Sequence, residues 1–179
     1  MKEFVKHCIE EDVKNGDHST LSCISTDKKG AAQLLVKDCG IIAGIEVAKE
    51  IFKIYDHTLT FKAIKSDGDL VSNGDIVFIV EGSSRSLLTI ERLVLNVMQR
   101  MSAIATLTSR YVEKINDLKT KILDTRKTTP LNRFLEKEAV KIGGGFNHRF
   151  GLYDMIMLKD NHIDFAGGIK KAIIKANNY

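Results

Sequence analysis

The sequence predicts an α/β protein built in two styles. Gly-Asp turns at 68–69 and 74–75 separate short β-branched runs, the spacing of a small antiparallel sheet. A 3.6-residue apolar period runs through residues 86–116, the mark of one long amphipathic helix. Beyond residue 120, strand-like and helix-like stretches alternate, which is the pattern of parallel βα units.

Each element follows from local chemistry. Residues 2–11 suit a short opening helix, and "NGDHST", 15–20, suits a turn. Residues 31–52 read as a strand, a break at Gly40, then a short strand or turn entering a helix near Ile45. Val77, Phe78, Ile79 and Val80 make the strongest strand of the sheet. Ser86 is a candidate cap for the long helix. Unbroken, that helix would reach about 45 Å at 1.5 Å per residue, so a break is expected near Ser102–Thr106. Arg92, Asn96 and Arg100 recur every four residues and share one face, which spacing alone reads as solvated.

From residue 121 the pattern changes. "KILD", 121–124, is a short strand, and "LNRFLEKEAVKI", 131–142, is a helix that Gly143 ends. "GGGFNHRFG" is a loop, "YDMIMLKD", 153–160, a continuous apolar strand, and 167–178 another helix. In parallel units the active residues sit at the carboxyl ends of strands, where Arg126, Lys127, Lys159 and Asp160 fall. Two strands and two helices close no barrel, and each strand would keep an unpaired side. The architecture is therefore expected to be incomplete, either truncated or completed by something else.

Composition narrows the function classes. At 44% hydrophobic residues the chain can build a real core. No 18-residue apolar run exists, so no membrane span is expected, and "MKEFVKHCIEED" lacks the apolar segment of a signal peptide. Cys8, Cys23 and Cys39 are odd in number and have no CxxC spacing, which points to a cytoplasmic protein rather than a disulfide framework. The net charge is +4 but unevenly placed. Residues 1–120 hold 16 Lys/Arg against 17 Asp/Glu, and residues 121–179 hold 11 against 6. The basic residues form no dense stripe interleaved with aromatics, so a small acidic ligand is expected rather than nucleic acid.

The basic third carries the candidate site. Arg grips a carboxylate or phosphate as a planar fork, and Lys supplies a compact point charge. Arg126, Lys127, Arg149 and Lys159 together suit a ligand with several anionic groups. Gly143–Gly145 have two readings, backbone N–H groups facing an anion or a helix end with a tight turn. They match neither a Walker loop nor a GxGxxG fingerprint. His148 and His162 lack zinc-site spacing, and no Ser-His-Asp or Cys-His set is evident. A positive pocket without a nucleophile points to electrostatic stabilisation of developing charge.

At these residues a resemblance enters. "ERLVLNVMQRMSAIATLTSRYV", "LDTRKTTP", "EKEAVKIGGGFNHRFGLYD" and "LKDNHIDFAGG" resemble, in order and spacing, the quinolinate phosphoribosyltransferases, as does the opening "EDVKNGDHST". The resemblance implies an N-terminal open α/β sandwich followed by the first βα units of an incomplete α/β barrel. Residues 1–116 would form the sandwich domain with its long linking helix, and 117–179 the first part of the barrel domain. It also implies transfer of phosphoribosyl from phosphoribosyl pyrophosphate to quinolinate with Mg2+, yielding nicotinate mononucleotide, pyrophosphate and carbon dioxide for NAD synthesis. Carried over by motif, Lys127, Lys159 and His148 are the catalytic candidates. Arg126, Arg149 and Arg92 bind substrate, Arg92 by reaching the site of a neighbouring subunit in a homodimer or higher homo-oligomer. Arg100 is left open.

Two departures from the family pattern stand out. Leu131 replaces a glycine in "TTPLNR", and Arg133 stands close by. The resemblance also implies roughly a hundred further residues, carrying the rest of the barrel, the acidic metal site and the phosphate-binding loops. The chain by itself is therefore expected to be inactive. The alternative is a non-catalytic quinolinate-binding or assembly fragment of the same fold.

Overall fold

The computed structural model describes residues 1–179. Helix α1 spans Lys2–Asp12 and α2 spans His18–Cys23. The expected turn at 15–20 thus leads into a helix, because the Asp17 carboxylate accepts the Thr20 N–H at 3.0 Å and caps it. Strands β1 (Lys29–Leu35), β3 (Thr60–Ala63) and β5 (Ile76–Ser83) form an antiparallel sheet in the order β1-β5-β3. Strands β2 (Gly40–Ile41) and β4 (Leu70–Val71) form a separate two-stranded sheet. Neither sheet closes. Helix α3 (Ile45–Tyr55) contributes Phe52, which meets Phe78 of β5 edge-on at 6.1 Å between ring centroids.

Helix α4 runs unbroken over Ser84–Glu113, about 45 Å at 1.5 Å per residue. The expected break near Ser102–Thr106 does not occur. The Ser102 hydroxyl accepts the Ala43 N–H at 3.0 Å, and that of Thr106 accepts the Ile41 N–H at 2.9 Å. Both hydroxyls serve the segment through β2 instead of loosening their own helix. Gly40 permits the approach, since a β-carbon there would meet the Thr106 side chain. The cap also differs from expectation. Ser83 is the N-cap, its hydroxyl accepting the Ser86 N–H at 3.3 Å, while the Ser86 hydroxyl donates to Asp56 at 2.7 Å. Leu87, Ile90, Val94, Val97, Met98 and Met101 form the buried stripe of α4. They join one core with α1, α3 and β5 that extends to Leu135 and Ala139 of helix α5 (Arg133–Ile142).

The last third is sparser in strands than expected. The strand foreseen at 121–124 reduces to one parallel bridge, Leu123 with Phe146. Residues 153–159 form no strand, and helix α6 begins at Asp160 (Asp160–Ala166), followed by α7 (Ile169–Asn177). The physical reason is pairing. A buried parallel strand needs a neighbour to take its N–H and C=O groups and layers to cover its faces. Here Leu152, Tyr153, Met155 and Ile156 all remain exposed. Continuous apolarity marks a segment suited to such a strand, but without a partner it stays irregular.

Candidate functional site

The site grows from the single parallel bridge. Asp124 N–H donates to the Phe146 carbonyl at 3.0 Å, and Phe146 N–H to that of Ile122 at 2.9 Å. Two segments therefore run side by side, and each enters a loop at its carboxyl end. One loop carries Arg126 and Lys127, the other His148 and Arg149. The fold thus brings four of the six candidate residues onto adjacent loops, the position where open α/β sheets place ligands.

Below the loops lies a buried charge pair that periodicity did not reveal. Lys137 of α5 is 2% exposed, and its ammonium bonds the Asp124 carboxylate. It also donates to the carbonyls of His148 at 3.0 Å and Arg149 at 3.3 Å. Asp124 Oδ1 accepts the His148 N–H at 2.8 Å. With its amide turned so that nitrogen faces the acceptors, Asn147 donates to Asp124 Oδ2 at 2.6 Å and to the Lys137 carbonyl at 2.9 Å. The ammonium has three protons and three acceptors, which satisfies a charge that would otherwise be costly to bury.

The candidates differ in their freedom. Arg126 is half-buried, and its Nε is buried with no hydrogen-bond partner. Buried guanidinium donors are normally paired, so this one is ready for an acceptor. Lys127 is exposed, and its backbone N–H is held by the Thr125 hydroxyl at 3.0 Å. His148 Nδ1 accepts the Arg149 N–H at 2.7 Å, which puts the ring proton on Nε2 as a donor. Arg149 is 7% exposed and donates from Nη1 to the Met155 carbonyl at 3.1 Å. Asp154 accepts the N–H groups of Phe150 and Gly151 at 2.6 and 2.8 Å. These backbone donors, with Arg149 nearby, hold its carboxyl below the usual range.

Lys159 and Arg92 are carried by other elements. Lys159 caps α6 after the mostly exposed 150–158 segment, its N–H donating to His162 Nδ1 at 3.1 Å. Arg92 is exposed on α4 and lines a cleft of about 650 Å3 between α1, α4 and residues 130–136. None of the other five candidates lines that cleft.

Arg100 and Arg133 resolve into bracing roles. Arg100 donates to Glu136 Oε1 from Nε at 3.1 Å and Nη2 at 2.8 Å, tying α4 to α5. Glu136 Oε2 accepts the Thr129 N–H at 3.3 Å. Burial pushes the Glu136 carboxyl up, but the bonds from Arg100 and Thr129 outweigh it and leave the group below its ordinary value. Arg133 joins the two loops, donating to the Thr128 hydroxyl at 3.1 Å and the Phe150 carbonyl at 2.9 Å.

The glycines form no anion cradle. The N–H groups of Gly143, Gly144 and Gly145 donate to the carbonyls of Ala139, Lys141 and Val140, ending α5. A β-carbon on Gly143 would collide with the Ala105 carbonyl oxygen of α4, so the residue serves close packing. Leu131 has φ +65° and is 87% exposed, a left-handed conformation that favours glycine. No three His, Cys, Asp or Glu side chains converge on a common metal position. No helix is long and apolar enough to cross a membrane.

Comparison with known proteins identifies the family. Residues 17–102 match the family described as quinolinate phosphoribosyl transferase, N-terminal domain, and residues 104–179 match its C-terminal domain. The chain is 44% identical over 176 residues to a probable nicotinate-nucleotide pyrophosphorylase (carboxylating) of Bacillus subtilis, covering 98% of this chain and 61% of that protein. It is 44% identical over 180 residues to the mitochondrial quinolinate phosphoribosyltransferase (decarboxylating) 2b of Nicotiana tabacum, covering 100% and 51%. Among solved structures, NadC from Streptococcus pyogenes superposes with a TM-score of 0.94 at 44% identity, over 99% of this chain and 63% of that one. The nicotinate-nucleotide pyrophosphorylase of Ehrlichia chaffeensis gives 0.93 at 33% identity. The chain spans about half to two thirds of the length of these relatives. Both family domains are matched in order, leaving only residue 103 between them, and the chain belongs to the quinolinate phosphoribosyltransferase family.

Proposed function

We propose that this chain provides the pyridine-dicarboxylate half of a site for phosphoribosyl transfer to quinolinate with decarboxylation, a step of NAD biosynthesis. One observation carries the reading: the Leu123–Phe146 bridge sets Arg126 and Lys127 beside His148 and Arg149. Quinolinate has two adjacent carboxylates. Arg126 and Arg149 would grip them, and Lys127, Lys159 and His148 would act on the charge that develops. The ring nitrogen attacks ribose C1 as pyrophosphate leaves with the bonding pair. Loss of the neighbouring carboxyl as carbon dioxide leaves its electron pair on the ring carbon beside the positive nitrogen. A proton then completes nicotinate mononucleotide. This path asks for alignment and charge stabilisation more than for a nucleophile. A magnesium ion would neutralise the charge of the diphosphate.

Residues 1–116 serve as the sandwich domain with its linking helix, and 117–179 as the start of the barrel domain. Arg92 serves a neighbouring subunit of a homo-oligomer, supported by its exposure in a cleft that holds none of the other candidates. A cytoplasmic location is supported by three free cysteines. By itself the chain binds quinolinate without turning it over. The test supplies quinolinate, phosphoribosyl pyrophosphate and Mg2+ to the purified chain and follows nicotinate mononucleotide by chromatography. Steady turnover by residues 1–179 would overturn the half-site reading. A second reading, a quinolinate-binding or assembly fragment with no catalytic role, is favoured by the exposed apolar side chains between Phe150 and Ile174.

A further inference from the structure

We propose that Lys137 is a positioning residue that sets the spacing between the two cation-bearing loops, and so the fit of a dicarboxylate. This rests on the proposed quinolinate reading. An ion pair serving stability alone would need only Asp124. The Lys137 ammonium instead divides its three protons among the Asp124 carboxylate and the carbonyls of His148 and Arg149. Asp124 lies two residues before Arg126, and the two carbonyls belong to candidate residues themselves. Asp124 also takes the His148 N–H at 2.8 Å. All of these acceptors sit in the two loops, and Lys137 is anchored on α5 beneath both.

The tether has a local consequence at His148. Its Nδ1 accepts the next N–H, that of Arg149, at 2.7 Å. This bond holds only while the 148–149 turn keeps its shape, and Lys137 grips both carbonyls of that turn. One ammonium therefore governs the separation of Arg126 from Arg149 and the nitrogen on which His148 carries its proton. Placement of a dicarboxylate between two guanidinium forks depends on their separation, so a loosened turn costs affinity without removing any contacting group.

The experiment compares Lys137→Met, Asp124→Asn and the double variant Asp124→Asn/Lys137→Met with the parent chain. Each is read by thermal melting, by calorimetric titration with quinolinate, and by 15N NMR of the His148 ring. Removing both members of a buried pair is far milder than removing one, so the double variant regains melting temperature relative to Lys137→Met. The proposal expects its quinolinate dissociation constant to remain at least about tenfold above the parent's, with His148 divided between two tautomers. A double variant that binds within twofold of the parent, or keeps a single Nε2-protonated ring, overturns the proposal. Asp124→Asn keeps an oxygen acceptor for Lys137 on the first loop as well as the two carbonyl tethers on the second, and is expected to lose less than about threefold in affinity; a tenfold loss there would assign the effect to charge and also overturn it. If the parent chain does not bind quinolinate, the functional reading fails, and the His148 tautomer in the variants still decides the tether.

Discussion

Replacing Leu131 by glycine should stabilise the protein. Leu131 holds φ +65°, a conformation costing an L-residue about 1–2 kcal/mol. Its side chain is 87% exposed, so removing it forfeits only a few tenths of a kcal/mol of burial. Against this, glycine adds about 0.5–1 kcal/mol of unfolded-state entropy. The balance is a gain of about 0.5–1 kcal/mol. For a chain of 179 residues that corresponds to a rise of about 1–4 °C in melting temperature. Leu131→Ala is the control. It keeps the β-carbon and the left-handed strain, and should stay within about 0.5 kcal/mol of the parent. Scanning calorimetry at pH 7 with urea titration measures both. A glycine variant no more stable than Leu131→Ala would refute the claim that this turn is strained, and with it the view that Leu131 departs from the family pattern at a cost.

Other perturbations have equally definite outcomes. Gly143→Ala drives a β-carbon into the Ala105 carbonyl of α4 and should cost about 1–3 kcal/mol in urea unfolding; an unchanged midpoint would contradict the close packing of α5 on α4. Glu136→Gln weakens the Arg100 tie, and because the Arg100 side chain is 58% exposed the cost at pH 7 is about 1 kcal/mol. The Glu136 carboxyl lies below its ordinary 4.5 in the fold, so its contribution is present above that pH and lost as pH falls through the lower folded value. The variant should therefore show a shallower acid limb in stability measured from pH 5 downward, and an identical limb would contradict this. Arg92→Ala touches no ion pair and should leave stability within about 0.5 kcal/mol of the parent, as thermal melting would report.

Sequence and structure agree best where periodicity is long. The α4 stripe and the opposed Gly-Asp turns were legible because each repeats a physical period over many residues. The expected break in α4 failed because it weighed helix length against no tertiary partner. Ser102 and Thr106 were fixed by Ala43 and Ile41, some 60 residues away. The 153–160 strand failed for the converse reason. Apolar sequence predicts burial, but a strand exists only when a neighbour pairs with it. Arg126, Lys127, His148 and Arg149 were legible as residues at predicted loop positions, but their adjacency depends on the Leu123–Phe146 bridge, a pairing that local sequence does not announce. Their scaffold was not legible. Lys137 and Glu136 lie on an amphipathic helix, where charge ordinarily means a solvated face, and nothing local signals that Asp124 and Arg100 bury them. The three glycines were ambiguous for a similar reason, since an anion cradle and a close helix crossing ask for the same residue.

Calorimetric titration of the chain with quinolinate, beside nicotinate as the monocarboxylate control, tests the central claim most directly. Two guanidinium forks matched to two carboxylates predict saturable quinolinate binding. They also predict nicotinate weaker by about 10- to 100-fold, the value of one charge-assisted contact at roughly 1.5–3 kcal/mol. Equal affinity for the two acids, or no binding of either, would contradict the account.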